Sequence, residues 1–224
     1  MVAAGALRLS DAVRLVRQRG QYMQEAVPVG LGAMAALLGL SSEVAGQVCQ
    51  EAAQDEVVSP ANFNSPGQIV IAGHAAAVAR AIALAKTRGA KRAILLNVSA
   101  PFHCILMKPA QERLARDLDK TGIASPQISV VNNVDACEVR STAEVRDGLK
   151  RQVTSPVRWE QSMRFLREQG VELFIEVGPG KVLAGLLRQI DREGTCLRVE
   201  DLSSLNETLA WPGWSAGMAR EGRS

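Results

Sequence analysis

His103 is the residue in this chain best placed to move a proton near neutral pH. It stands in SAPFHCILMKP, just after a run of β-type residues (AILLNVSA), flanked by Phe102 and Cys104. The chain has only two histidines. A neutral imidazole between a strand end and a helix start is placed where α/β folds put reactive side chains, and it can take a proton from a nucleophile. A hydrogen-bonded loop histidine is the other reading, because no partner is visible beside it. Cys104 is adjacent, and neighbouring side chains diverge. His74, in IAGHAAA, reads as a turn or helix-start residue without a chemical role.

Arg19 is the second such residue. Ser10 to Val27 reads as a helix capped by Ser10 or Asp11 and stopped by Pro28. One face collects Ala12, Leu15, Val16, Tyr22, Met23 and Ala26, and Arg19 projects from its middle. An unpaired buried guanidinium costs of order several kcal/mol. Arg19 therefore meets an anion, a carboxylate in two-point contact, or it has an internal Asp or Glu partner, or it reaches the rim.

Two glycine motifs carry less. Gly213-Trp214-Ser215-Ala216-Gly217 has the G-x-S-x-G spacing of a nucleophile elbow. Pro212 and a polar stretch precede it, and seven residues follow, so the strand and helix that an elbow needs are missing. The pattern is rejected as a nucleophile. GPGK, Gly178 to Lys181, lies between a strand and a helix, where backbone N–H groups bind phosphate. It lacks the full P-loop pattern, so a structural tight turn is the preferred reading.

The elements that position these residues follow from periodicity. GAMAALLGL reads as a strand and SSEVAGQVCQEAAQ as a helix with a Ser cap. VVSPANFN and QIVIAGH are strands joined by Ser-Pro-Gly. AAAVARAIALAKTRG is a helix ending at Gly89, and KRAILLNVSA is a last strand. The β-α-β-β-α-β order is ferredoxin-like. RNA-binding modules share that order but need stacking aromatics on the strands, and these strands offer only Phe63. Beyond His103, MKPAQERLARDLDKTG is a helix, ISVVNNVD a buried strand, and TAEVRDGLKRQV and RWEQSMRFLREQG two helices. ELFIEV is a strand, KVLAGLLRQI a helix and LRVEDL a final strand. This alternation predicts a parallel sheet.

Composition bounds the class. With 47% hydrophobic and 22% charged residues the chain reads as soluble and globular. Aromatics are 4%, so the core rests on Ala, Leu, Val and Ile. A net charge of +3 is too weak to argue for nucleic acid. Four cysteines without a C-x-x-C pair or disulfide-like spacing read as free thiols in a reducing compartment, with no metal site. No signal peptide or membrane-spanning run is legible, so the cytoplasm is expected.

DAVRLVRQRGQYMQEA, GAMAALLGL, NFNSPGQIVIAGH, SAPFHCILMKPA, VVNNVD, RQVTSPVRW and EVGPGKVL, in this order, make the sequence resemble the malonyl-CoA:acyl carrier protein transacylase family of bacterial fatty acid synthesis from about Val2 to Leu209. The resemblance implies transfer of a malonyl group from coenzyme A to the phosphopantetheine thiol of acyl carrier protein through an acyl-serine. It implies no cofactor, coenzyme A entering as the thioester substrate, and a monomer when full-length. His103 matches the base, Gln152 the position whose backbone carbonyl orients it, and Arg19 the clamp on malonate's free carboxylate. Met23 and Phe102 match positions beside the acyl pocket, and Asn62 and Asn64 lie on the small subdomain's side of the cleft. Lys86, Arg88, Lys91 and Arg92 form a basic cluster that meets the acidic carrier protein or is a solvated helix end. The implied fold is α/β: an incomplete α/β-hydrolase-like acyltransferase large subdomain with an inserted ferredoxin-like (βαββαβ) small subdomain. Residues 1–29 are a remnant of the large subdomain, 30–99 the small subdomain, 100–209 the rest of the large one and 210–224 an unstructured tail. The family's G-H-S-x-G elbow and G-Q-G-S-Q-like loop are not in the sequence, so the expected chain lacks the nucleophilic serine and is inactive alone. The alternative is a non-catalytic module that binds acyl-CoA or acyl carrier protein.

Overall fold

The computed structural model describes residues 1–214. It divides into two compact units, Met1–Leu166 and a second from Arg167 onward.

The first unit opens with α1 (Leu9–Ala26). Neither Ser10 nor Asp11 caps it. Arg8 holds the N-cap position, and its guanidinium has no acceptor to offer a backbone N–H; the Asp11 carboxylate is engaged by Arg8 Nε at 2.8 Å and Arg14 Nη2 at 3.0 Å. Of the expected apolar face, Leu15 and Met23 are buried. Val16 is not; it is 66% exposed and lines an open cleft with Arg19.

Next come β1 (Gly32–Leu38), α2 (Ser42–Ala53), β2 (Val58–Ser65), β3 (Gln68–His74), α3 (Ala75–Thr87) and β4 (Arg92–Leu95). The strands form one antiparallel sheet in the order β2-β3-β1-β4, the ferredoxin-like order. The Ser41 hydroxyl accepts from Val44 N and starts α2. The core of α2 and α3 against the sheet is built on small side chains: Ala45, Ala77, Ala81 and Ala85 are fully buried beside Leu37, Val48, Val78 and Ile71. Methyl-sized side chains at these positions suit a close approach of helix and sheet backbones. The strand expected over Lys91–Ala100 is shorter than its sequence suggested. β4 pairs only with β1, and Ile94 and Leu95 are exposed at the sheet edge.

A single 3-10 turn, Ile105–Met107, leads into α4 (Lys108–Lys120), whose Pro109 suits the first helical turn. α4 packs on α1. Tyr22 donates to Asp117 at 2.8 Å, Arg113 lies 3.9 Å over the Tyr22 ring, and Arg113 pairs with Glu25. ISVVNNVD is not a buried strand. β5 (Val130–Val131) is two half-buried residues paired antiparallel with β6 (Glu138–Val139). Its strand ends because Asn132 builds a turn: Asn132 Oδ1 accepts from Asp135 N at 2.9 Å, and Ala136 sits at φ 55°. α5 (Thr142–Arg151) starts with a full capping box of Ser141 and Glu144, and α6 (Trp159–Glu168) follows.

In the second unit β7 (Leu173–Val177) pairs with β8 (Thr195–Val199). This is the only parallel pair among the described strands, so the extended parallel sheet predicted by the alternation is not formed within them. α7 (Val182–Ile190) lies between the two, and α8 (Leu202–Leu209) follows β8, where a continued strand had been expected. Asp201 caps α8 by accepting from Ser204 N, which is what stops the strand. The start of the expected loose tail is packed. Trp214 Nε1 donates to Thr208 O at 2.7 Å, and the rings of Trp211 and Trp214 meet edge to face at 5.4 Å. Ser215, Ala216 and Gly217 of the rejected GWSAG pattern lie outside the described residues. No described helix is long and apolar enough to cross a membrane.

Candidate active site

The loop that carries His103 is pinned by small and rigid residues. Ala100 and Pro101 are buried. Gly32 of β1 leaves room for the Pro101 ring; a Cβ there would stand 2.4 Å from Pro101 Cδ and Cγ. Phe102 packs on two hydrophobic cores, one with Met23 and Met107, the other with Cys104, Met34 and Ala61. Between these anchors His103 takes φ 60°, a left-handed conformation that costs a non-glycine residue about 1 kcal/mol or more.

His103 Nδ1 lies 2.9 Å from the Gln152 carbonyl oxygen. A carbonyl only accepts, so Nδ1 carries the proton and the Nε2 lone pair is left free. Gln152 offers its backbone carbonyl because it is the C-cap of α5, where the helix supplies no further N–H; its side-chain Nε2 donates to Ser155 O at 3.1 Å and Pro156 O at 3.3 Å. Burial pushes the His103 pKa below 6.5; the Gln152 carbonyl pulls the other way, and the positive charge of Arg19 lowers it further. The imidazole is therefore neutral at pH 7.

Arg19 is partly buried one α-helical turn before Met23. No Asp or Glu among the described residues pairs with it. Desolvation lowers its pKa from 12.5, the mark of a charge without a partner. Arg19 and Gln152 line one cleft of about 370 Å³ with Leu15, Val16, Leu114 and Leu149. Met23 is 2% exposed and sits in the core with Leu15, Leu114 and Met107 rather than lining the cleft.

Asn62 and Asn64 are partly buried on β2. The backbone around Asn62 does the joining: Phe63 N donates to Val157 O and Val157 N to Ala61 O, both at 2.8 Å, which ties the sheet to the segment after Gln152. Lys86, Arg88, Lys91 and Arg92 are all exposed. Arg88 is spent on Glu51, with Nη2 at 2.6 and 2.9 Å from its two oxygens, so among the described residues Lys86, Lys91 and Arg92 carry the unpaired charge.

Other candidates are accounted for structurally. The Cys104 thiol donates to Pro101 O at 3.1 Å, and burial pushes its pKa up to about 11, so it stays protonated and unreactive. His74 Nδ1 accepts from Val57 N at 2.9 Å. At GPGK the start of α7 is filled from inside: Glu176 accepts from Leu183 N at 3.0 Å and Ala184 N at 2.9 Å, and Glu200 accepts from Gly180 N. A carboxylate already sits where a phosphate would bind. Sequence reasoning missed both glutamates, although a Glu just before a glycine turn and helix start is a readable capping signal.

The model of the acyl transferase domain family matches residues 1–205. The chain belongs to this acyltransferase family. It is 56% identical over 210 residues to the malonyl CoA-acyl carrier protein transacylase of Escherichia coli O157:H7, covering 93% of this chain and 68% of that protein. The structure of the malonyl CoA-acyl carrier protein transacylase from Coxiella burnetii superposes with a TM-score of 0.91 at 46% identity, over 92% of this chain and 66% of that one. A malonyl-transacylase solved in complex with its type II PKS acyl-carrier protein gives a TM-score of 0.91 at 48% identity, over 93% of this chain and 67% of that one. The acyltransferase chain thus spans about two thirds of the length of these relatives.

Proposed function

We propose that this chain supplies the base and the carboxylate clamp of an enzyme that moves a malonyl group from coenzyme A to the phosphopantetheine thiol of acyl carrier protein. The observation that carries this reading is the 2.9 Å contact between His103 Nδ1 and the Gln152 carbonyl, with the Arg19 guanidinium, unpaired among the described residues, lining the same cleft as Gln152.

In this scheme His103 Nε2 takes the proton of a serine as its Oγ attacks the thioester carbonyl. The Oγ–C bond forms, the C–S bond breaks, and the proton passes from the imidazolium to the departing coenzyme A sulfur. In the second half the carrier thiol gives its proton to His103 and attacks the acyl-serine, and the serine oxygen recovers that proton. One thioester replaces another and no electrons are exchanged, so no cofactor enters. Arg19 pairs with the distal carboxylate of malonate, which an acetyl group lacks. Phe102 and Met23 wall the acyl site, Asn62 and Asn64 stand across it, and the Lys86, Lys91 and Arg92 charges, with Arg88 beside them, attract the acidic carrier. The relative solved with its carrier protein supports that partnership. The serine is proposed to lie in a G-H-S-x-G elbow outside these 224 residues, so the chain by itself does not turn over. The cytoplasm and a monomeric complete enzyme complete the proposal.

The test is intact mass after incubation with malonyl-CoA, together with calorimetric titration of malonyl-CoA and acetyl-CoA. The expected result is no covalent adduct and tighter binding of malonyl-CoA. A malonyl adduct on the purified chain would place a nucleophile within it, and equal binding of the two thioesters would remove Arg19 as the clamp.

A further inference from the structure

The Gln152 carbonyl can select one tautomer of His103 only if the end of α5 is itself fixed, and helix ends fray. Arg151, the last residue of α5, has all three guanidinium nitrogens bonded. Nη1 and Nη2 donate to Oδ1 and Oδ2 of Asp135 at 2.8 and 2.6 Å, and Nε donates to Asp147 at 2.6 Å. Asp135 closes the Asn132 turn, and Asn132 Nδ2 donates back to its Oδ2 at 3.2 Å. The same Asn132 amide stands over Gly148, where a Cβ would meet it at 3.0 Å, and the Gly148 carbonyl accepts from Gln152 N at 3.0 Å. Past Gln152 the chain turns back, with Thr154 N and Ser155 N donating to Arg151 O at 3.1 and 3.0 Å. One turn, Asn132–Asp135, therefore grips the last turn of α5 through the Arg151 side chain and against Gly148.

We infer that Arg151 and Asp135 are positioning residues: their two-point pair fixes the Gln152 carbonyl on His103 Nδ1 and so keeps Nε2 unprotonated. This rests on the reading of His103 as the base. Arg151 and Asp135 are 39% and 35% exposed, so solvent screens the pair and its contribution to stability is small. What a fork on a carboxylate supplies is direction, since two parallel bonds fix an angle that one bond leaves free. Arg151 holds the Asp135 carboxyl below its ordinary range, with the Asn132 amide adding to it, as an oriented ion pair requires.

The experiment uses the whole chain labelled with 15N-histidine, observed by long-range 1H–15N NMR at about pH 8, where neutral imidazoles dominate. The chain has two histidines, and His103→Gln assigns them. They carry opposite tautomers: His103 is protonated at Nδ1, whereas His74, whose Nδ1 accepts from Val57 N, is protonated at Nε2. His74 is thus an internal control for folding. The expected result is that Arg151→Met and Asp135→Asn turn His103 into a mixture of tautomers and leave His74 unchanged. Arg151→Lys, which keeps the charge and loses the fork, behaves like Arg151→Met. An unchanged His103 pattern in variants with a native His74 signal overturns the inference. If one variant loses the His74 signal, the near-isosteric Asp135→Asn decides. A wild-type His103 protonated at Nε2 would instead sink the base reading, an outcome distinct from failure of the Arg151–Asp135 role.

Discussion

The imidazole of His103 donates from Nδ1 to the carbonyl of Gln152, 49 residues further along the chain, while its own backbone is held at φ 60°. A left-handed residue at this position aims the side chain at the cost of strain. That pair of facts separates stability from function. His103→Gly and His103→Ala both delete the imidazole and its hydrogen bond, but only glycine relieves the backbone. The glycine variant is expected to be more stable than the alanine variant by about 1 kcal/mol in urea denaturation. Equal midpoints would show that the φ angle carries no strain.

The same histidine makes stability depend on pH in a defined direction. Its folded pKa is depressed below 6.5, first by burial. Between the folded value and 6.5 the unfolded chain binds the extra proton. The contribution of His103 is therefore fully present above 6.5 and is lost as pH falls from there through the folded value. Denaturation curves from about pH 5 to about pH 8 should show a steeper loss on the acid side for the wild type than for His103→Gln.

Arg19 is a cation without an acidic partner among the described residues, and its positive charge adds to burial in holding the His103 pKa down. A carboxylate bound to Arg19 cancels that charge. Malonate is therefore expected to raise the His103 pKa measured by NMR titration, and Arg19→Gln to abolish the response. The same substitution should weaken malonyl-CoA binding by about tenfold to a hundredfold, the worth of a charge-assisted hydrogen bond, with acetyl-CoA binding little changed. A malonate effect that survives in Arg19→Gln would assign the carboxylate to another cation.

Gly32 is placed to test how the loop is held. A methyl group at this position would overlap the Pro101 ring at 2.4 Å. Gly32→Ala is expected to cost about 1–3 kcal/mol and to disturb the His103 tautomer signal, because Pro101 lies two residues before His103. Gly20→Ala is the control, since nothing stands within 4 Å of a Cβ there. A His103 signal that is native in Gly32→Ala would show that Phe102 and Cys104 suffice to hold the loop.

Several elements were legible because their causes are local. Ser41 before α2 and the Ser141–Glu144 box before α5 mark helix starts through bonds that span three residues. The apolar run in QIVIAGH and the Ser-Pro-Gly turn before it mark a hairpin. The errors also have local causes that a single-period reading passes over. Asn132 and Asp135 cut short an apolar run, and Asp201 ends β8 by capping α8.

By itself the sequence determined most element types, the ferredoxin-like order and the residues able to do acid–base and anion chemistry, since those follow from spacing, capping and side-chain type. Tertiary structure alone decided what each of them faces. Among the described residues Arg19 has no acidic partner, Arg88 does, and the start of α7 is closed by Glu176 and the neighbouring Gly180 by Glu200. The Arg151 fork on Asp135 and the Gln152 carbonyl on His103 join segments 16 and 49 residues apart. Such pairings depend on where the packed core brings distant backbone, and among 26 basic and 23 acidic residues no local pattern singles them out.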